Sequence, residues 1–491
     1  MSESAARVFA RLSTDEPVTR TRTLMAKAVV LGGSLAGLLA ARVLSDHAES
    51  VVVVERDSLP PAAAARPGTP HDGQLHTLMH GGRMQLQRLF PGFEEEARAG
   101  GAIVSSPYTI RAYADGVPKV SDGAMGLISS SRPFLEALVR RRTLALPNVK
   151  VLTCRAIGLE FRGDAVSGVR CGPVSRPGSG VGSGVGSGVG SGVGSGVGSG
   201  VEEWVEDADF VVDAMGRASK LGDWLEKAGW ERPAMRRMAI DIDYATGYFR
   251  RTTSDPELAA AIAYRTPTAI PPRVASGAIT AIEGDRWLIT LANYGKQPPI
   301  RDVDEFRKLC GELPPVYREA VEGEQLGDIL TYHQADSRRR DYHLLKRFPA
   351  RLISLGDAVA SFNPIYGQGM SSAALHASAL SHYLRSAPDL RRHARAFFAD
   401  QRVVVDAAWQ ISTAADLARP DVHGPYPRGY RLTKWLAEQM AEASVTDREV
   451  AVRFNSVTYM RSHPSSLAAP ATLLRALRVN RSSRKPRRER G

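Results

Sequence analysis

The chain is poor in cysteine. Its 491 residues include three, Cys154, Cys171 and Cys310, far apart and without a C-x-x-C pair. That excludes a disulfide framework, a redox dithiol and the common zinc sites. No run approaches the ~18 apolar residues of a membrane span. The first residues include Glu3, Asp15 and Glu16 and no apolar h-region, which argues against a secretory signal. A cytoplasmic setting is expected. Aromatic residues make up only 7%, yet 43% of the chain is hydrophobic, enough for two or three joined domains with a large core. No Ser-His-Asp or paired-carboxylate constellation is recognisable.

Acidic residues are in deficit, giving a net charge of +12. The excess is local. Residues 472–491 hold eight Arg or Lys against Glu489, which leaves about +5 for the body. The expectation is a solvated, disordered basic tail rather than a nucleic-acid surface. Docking of that tail to an anionic membrane surface or an acidic partner stays open. Residues 1–24 read as a disordered polar extension. Residues 178–201 are six tandem copies of Gly-Ser-Gly-Val, which cannot bury a core. They read as a flexible insert at a hairpin tip between strand-like runs Ala165–Cys171 and Phe210–Asp213.

Two segments carry chemistry. In AVVLGGSLAGLLAARVLSDHAESVVVVERD (28–57) an apolar run meets a glycine turn, then an Ala/Leu-rich helix, then Val51–Val54 and an acid. This is the order of a dinucleotide-binding βαβ unit. Gly32 permits the turn, Ser34 stands for the middle glycine, and Gly37 lets the helix pack closely on the strand. The helix N-terminus offers N–H groups to a pyrophosphate. Glu55, with Arg56 beside it, is placed for an adenosine ribose. This fingerprint alone does not choose NAD from FAD. In ARLISLGDAVASFNPIYGQGMSSAA (350–374) an apolar strand ends in Gly356-Asp357, and a turn through Asn363-Pro364 leads to Gly367-Gln368-Gly369-Met370 and a helix. A carboxylate at a strand tip suits a ribityl hydroxyl. Glycines at a helix start let N–H groups reach an isoalloxazine carbonyl, which stabilises charge there on reduction.

The second segment resembles the G-D-x(6)-P-x-x-G-x-G-M signature of the FAD-dependent monooxygenases related to para-hydroxybenzoate hydroxylase. Ser131-Arg132 resembles their S-R-x-x-L segment, and Asp213-Ala214-Met215-Gly216-Arg217-Ala218-Ser219 resembles their D-A-T-G-R-x-S, with Met for Thr. The likeness spans roughly residues 26–412. Within the superfamily, FNPIYGQGMSSAA (362–374), RPGTPHDGQLH (66–76) and IEGDRWLITL (282–291) resemble the bacterial polyether epoxidases of monensin and lasalocid type. Their P-Q-x-R-H-x-H loop is Pro70 to His76 here, without the Arg and the first His. His76 is left as the loop's flavin contact. His71, His76 and His80 read as loop or structural histidines rather than metal ligands, and no metal is expected.

The resemblance implies an α/β (α+β) fold. A Rossmann-like FAD-binding domain (25–100, 125–235 and 345–385) is interleaved with an antiparallel-sheet substrate domain (101–124 and 236–344). A helical region (386–471) precedes the tail. It implies FAD as cofactor, held by Gly32, Gly33, Ser34, Ala36, Gly37, Glu55, Arg56, His76, Arg132, Asp213, Gly216, Arg217, Gly356, Asp357, Pro364, Gly367, Gly369 and Met370. Tyr244, Trp287 and Tyr366 are pocket candidates; Trp287, on an alternating strand, reads more as core than as pocket wall, and Tyr366 suits core equally. It implies oxygen transfer from a flavin C4a-hydroperoxide to an alkene of a lipophilic specialised metabolite, such as a polyketide or terpenoid. O2 is the co-substrate and NAD(P)H the electron donor, acting directly or through a separate flavin reductase, since no second nucleotide-binding unit is present. Chemistry borne by the flavin needs no protein catalytic residue. Alternatives are an aromatic hydroxylase of the same fold and a flavin-dependent prenyl reductase or dehydrogenase. A halogenase would carry a W-x-W-x-I-P helix, and none of the six Trp lies in one.

Overall fold

The run Ala28–Leu31 lies within a strand, Met25–Leu31, at the centre of a parallel sheet. A computed structural model describes residues 3–19, 21–174, 203–252, 257–268, 271–295, 297–422 and 424–484. The Gly-Ser-Gly-Val insert (178–201) lies outside the described residues. The parallel sheet runs in the order Leu352–Ser354, Phe210–Asp213, Met25–Leu31, Ala48–Glu55, Val149–Thr153. Its three inner strands carry apolar runs without alternation, Ala28–Leu31, Val51–Val54 and Phe210–Val212, because both faces are covered there. Helix Leu35–Leu44 is buried along most of its length against helices Arg132–Leu144 and Gly369–Arg385.

A second sheet has eight strands and is mostly antiparallel. It collects Ile110–Ala114, Val117–Pro118, Met235–Arg250, Ala260–Tyr264, Ser276–Ile282, Arg286–Tyr294, Leu330–Arg340 and Ala360–Ser361. Along Met235–Arg250 the side chains alternate between faces. Ala245 and Phe249 join one core cluster with Phe306, Tyr317 and the helices Val303–Gly311 and Pro315–Ala320. Met238, Ile240, Ile242 and Tyr244 join another with Tyr294, Leu417 and Val422. Helices Arg395–Asp416, Tyr430–Ala443, Arg448–Thr458 and Pro470–Arg484 complete the C-terminal part.

Two expectations are corrected. The stretch 1–24 is not disordered throughout: Ala5–Leu12 is a helix whose Val8, Phe9 and Leu12 are buried. Those three fall on one helical face, so docking them removes apolar surface from water. Ser378 Oγ donates to Leu12 O at 2.6 Å, and Arg88 Nε donates to Glu16 O at 2.8 Å. The basic tail is likewise helical as far as Arg484. Ala476 and Val479 pack on Met440 and Ala443, and Asn480 Nδ2 donates to Gln439 O at 3.1 Å.

Candidate active site

The strand register sets the cradle. Leu31 pairs with Val54 on one side and Asp213 on the other, and Asp213 pairs with Ser354. Gly32, Glu55, Ala214 and Gly356 therefore share the carboxyl edge of the parallel sheet, where ligands of such folds sit. Gly32 has φ +104°, and a Cβ there would lie 2.6 Å from Ala214 O. A Cβ on Gly37 would meet Gly32 O at 1.8 Å, so the helix seats on the turn only with glycine. The two sequence fingerprints touch: a Cβ on Gly356 (φ +64°) would lie 2.6 Å from Ala36 Cβ.

Glu55 accepts from Gly33 N at 2.6 Å and from Asp57 N at 3.0 Å, which fixes its carboxylate beside the glycine turn. Arg56 does not join it and is 62% exposed. The buried Arg66 is there instead, 3.7 Å from Glu55, and it donates to Glu136 Oε1 at 2.5 Å. Ser34 also has a use: its Oγ donates to Glu136 Oε2 at 2.7 Å and accepts from Arg132 Nη2 at 3.0 Å. Burial works against the charge of Glu136, but Arg132 and Arg66 outweigh it and hold the carboxyl below its ordinary value. Arg140 lies 3.6 Å away.

Asp213 is buried and tied internally, accepting from Ser219 Oγ at 2.7 Å, Ser354 Oγ at 2.9 Å and Met215 N at 3.1 Å. It braces the edge. Arg217 donates to Ser361 Oγ at 2.6 Å and Asp336 Oδ1 at 2.7 Å, linking the cradle to the second sheet. Burial pushes the Asp357 carboxyl up, while Arg217 and Arg132 pull the other way. Gly356 N donates to Nδ1 of the fully buried His376 at 2.9 Å. Gly367 has φ +64°, and a Cβ on it would meet Met79 Cε at 2.4 Å. Beside it, Pro364 and Gly369 are exposed, whereas Met370 is buried in the core. A Cβ on Gly369 or on Gly216 would meet nothing within 4 Å.

His76 Nδ1 lies 2.8 Å from Gln74 O, and its ring is 5.3 Å from that of His71. Burial, helped by Arg132, holds His76 well below its ordinary range and His71 at about 4. The loop rests on the second sheet, where Thr246 Oγ1 donates to Gln74 Oε1 at 2.6 Å.

Tyr244 and Tyr366 come together on the sheet face turned to this loop. Tyr366 Oη donates to Asp416 Oδ1 at 3.0 Å, and Asn363 Nδ2 donates to the same oxygen at 2.8 Å. Asn363 Nδ2 also reaches Tyr294 Oη at 3.3 Å, and Arg419 lies over the Tyr294 ring. Burial raises the Asp416 carboxyl to about 6 against the pull of Asn363, Tyr366 and Arg419. Asp416 Oδ2, Ser412 Oγ and Tyr244 Oη are buried together here, Ser412 facing the Asp416 carboxyl and Tyr244 the backbone at Ile365. Trp287 is a correction: alternation puts it on the opposite face, 1% exposed, under Arg251 at 4.8 Å. Glu136 was legible as an acid four residues from two arginines on one helix. Nothing in the sequence marks Asp416.

The cradle fits a flavin dinucleotide. Neither helix N-terminus, at Leu35 or at Gly369, has a side-chain cap, so first-turn N–H groups remain for an anion or a ring carbonyl. Arg132 Nε is buried without a partner.

The chain is 31% identical over 449 residues to Protein Rv3254 of Mycobacterium tuberculosis, covering 87% of this chain and 88% of that protein. The chain belongs to the family of Rv3254. No protein-family model matches it. Among solved structures, this Rv3254 relative is similar to the flavin-dependent brominase Bmp2, at TM-score 0.60 and 15% identity over 94% of this chain and all of that one. It is also similar to PqsL of Pseudomonas aeruginosa, described as a probable FAD-dependent monooxygenase, at TM-score 0.56 and 18% identity over 81% and 97%. The fold is that of the FAD-dependent monooxygenases. Among the described residues, no helix is long and apolar enough to cross a membrane.

Proposed function

We propose that the chain is an FAD-dependent monooxygenase that transfers one oxygen atom of O2 to a lipophilic small molecule. The contact of Gly356 with Ala36 carries this reading, because it joins the pyrophosphate-type turn to the ribityl-type acid in one cradle. Ser34, Arg132 and the Leu35 helix start would hold the pyrophosphate, Glu55 the ribose, Asp357 the ribityl chain, and the Gly367–Met370 turn the ring. His76 would border that ring from the Pro70–His76 loop. Bound there and reduced by NAD(P)H-derived electrons, FAD supplies the oxygen chemistry. The protein's own work is to position the substrate and keep water out.

Epoxidation of an alkene is the first reading of the transfer, supported by the likeness of residues 362–374, 66–76 and 282–291 to the polyether epoxidases. It needs no protein base. Aromatic hydroxylation is the second, and one observation favours it. Asp416, its carboxyl raised to about 6 by burial, lies beside Tyr366 and would accept a proton from a phenolic substrate.

Purified protein should retain FAD, and Asp357→Ala should weaken that retention at least tenfold in equilibrium dialysis, the loss of one charge-assisted hydrogen bond being on the order of 1–3 kcal/mol. Protein that takes up no FAD would end the reading. Rapid bleaching of the flavin by NADPH alone, followed by stopped flow, would show that no separate reductase is required. Labelled O2 supplied with a substrate gives an epoxide under the first reading and a phenol under the second.

A further inference from the structure

The start of helix Tyr430–Ala443 has two sides of different chemistry. Inward, Tyr430 packs on the cluster of Tyr294, Leu417 and Val422. Outward, Leu432 is 61% and Trp435 42% exposed, three residues apart on one face. Tyr426 before them is 55% exposed, its ring 5.0 Å from that of Tyr430 and tilted to it by 44°. Cations surround these apolar groups. Arg428 and Arg431 are exposed, and no Asp or Glu occurs between Asp421 and Glu438. Helix Pro470–Arg484 lies alongside, pinned by Asn480 to Gln439, and carries the exposed Arg478 and Arg481. None of these four arginines forms an ion pair among the described residues.

Large exposed apolar side chains ringed by unpaired cations mark an interaction site rather than ordinary surface. A free polyanion would use the arginines and leave Leu432 and Trp435 in water. An apolar protein partner would bury Leu432 and Trp435 against unneutralised arginines. A lipid surface with anionic headgroups takes both, apolar groups at the acyl boundary and cations at the headgroups. We propose that this face, built from Tyr426, Leu432, Trp435, Arg428 and Arg431 with Arg478 and Arg481 beside it, docks on an anionic membrane surface. Docking would bring the tyrosine cluster, one helix thickness away, to the lipid from which a lipophilic substrate is drawn; this corollary alone rests on the proposed function.

The test is co-sedimentation of the full-length protein with vesicles of phosphatidylglycerol mixed into phosphatidylcholine, against phosphatidylcholine alone. Binding is expected only to the anionic vesicles and should fall with added salt. Arg428→Gln with Arg431→Gln should weaken it about tenfold or more, and so should Leu432→Ser with Trp435→Ser. A chain ending at residue 484 should still bind. Three results would overturn the proposal: no binding, equal binding to both vesicles, or binding lost on truncation yet untouched by either double substitution. Sedimentation velocity without vesicles covers the remaining occupant. Self-association abolished by Leu432→Ser with Trp435→Ser would assign the face to a second copy and also overturn it.

Discussion

The two faces of the eight-stranded sheet are buried to similar extents but carry different chemistry. The face covered by Val303–Gly311 and Pro315–Ala320 presents Phe249, Ile279, Trp287, Ile289 and Leu291. Its tyrosine, Tyr317, donates to Gly277 O at 2.6 Å. The face turned to the cradle presents Tyr244, Thr246, Thr290, Tyr294 and Tyr332, with Asp416 laid against them. Buried polar atoms short of a well-formed hydrogen bond occur on both faces, Trp287 Nε1 on the first and Tyr244 Oη and Asp416 Oδ2 on the second. A buried polar group without a hydrogen bond costs on the order of 1–3 kcal/mol. Polar side chains gather on the second face and are scarce on the first, so the second reads as a surface kept for a ligand.

Trp287→Ala should have the largest effect, about 3–5 kcal/mol of stability by denaturant titration, with FAD affinity of the folded fraction unchanged. A variant that keeps its stability but loses FAD would break the contrast between the faces.

Asp416→Asn should act in the opposite sense. The carboxyl titrates near 6 in the folded chain and near about 3.9 when unfolded. Between those values the folded state binds more protons, so stability falls as pH rises from about 4 to about 6. Above that range the ionised carboxylate costs the fold about 2–3 kcal/mol. The variant should therefore be more stable than its parent at alkaline pH and about equal below pH ~4. Measured by thermal melts across pH, a variant that is less stable throughout would make Asp416 a structural residue.

The smallest effects sharpen the contrast. Tyr317→Phe removes a satisfied hydrogen bond and should cost about 1 kcal/mol. Tyr244→Phe removes a hydroxyl without a well-formed hydrogen bond and should cost less than that, down to nothing, in the same titration. Equal losses at the two positions would mean that Tyr244 is bonded after all.

Local features were the readable ones. Strand, turn and helix around Gly32, and around Gly356 and Gly367, follow from apolar runs and glycine placement over a few residues, and the structure has them there. The contact between those two turns was not readable, because it depends on which strands neighbour Met25–Leu31. Arg66 replaces Arg56 beside Glu55 for the same reason: a loop folds back over the cradle. Asp416 is an acid at the end of a helix far from Asn363 and Tyr366 in the chain, and no local pattern distinguishes it from a solvated one. Val8, Phe9 and Leu12 did carry a signal, a helical apolar spacing hidden in a polar stretch.

The contact between Gly356 and Ala36 also orders events in time. The glycine turn, its helix and Glu55 leave the ribosome early, before residue 60. The strand Leu352–Ser354, the acid Asp357 and the helix beginning at Gly369 leave late, which at usual synthesis rates is a delay on the order of tens of seconds. Until then the first half of the cradle has no second wall, and Ala36 faces no Gly356. On the proposed reading, cofactor loading would wait until nearly the whole chain exists, and a truncated or stalled chain would carry no working flavin to spend reducing equivalents on oxygen.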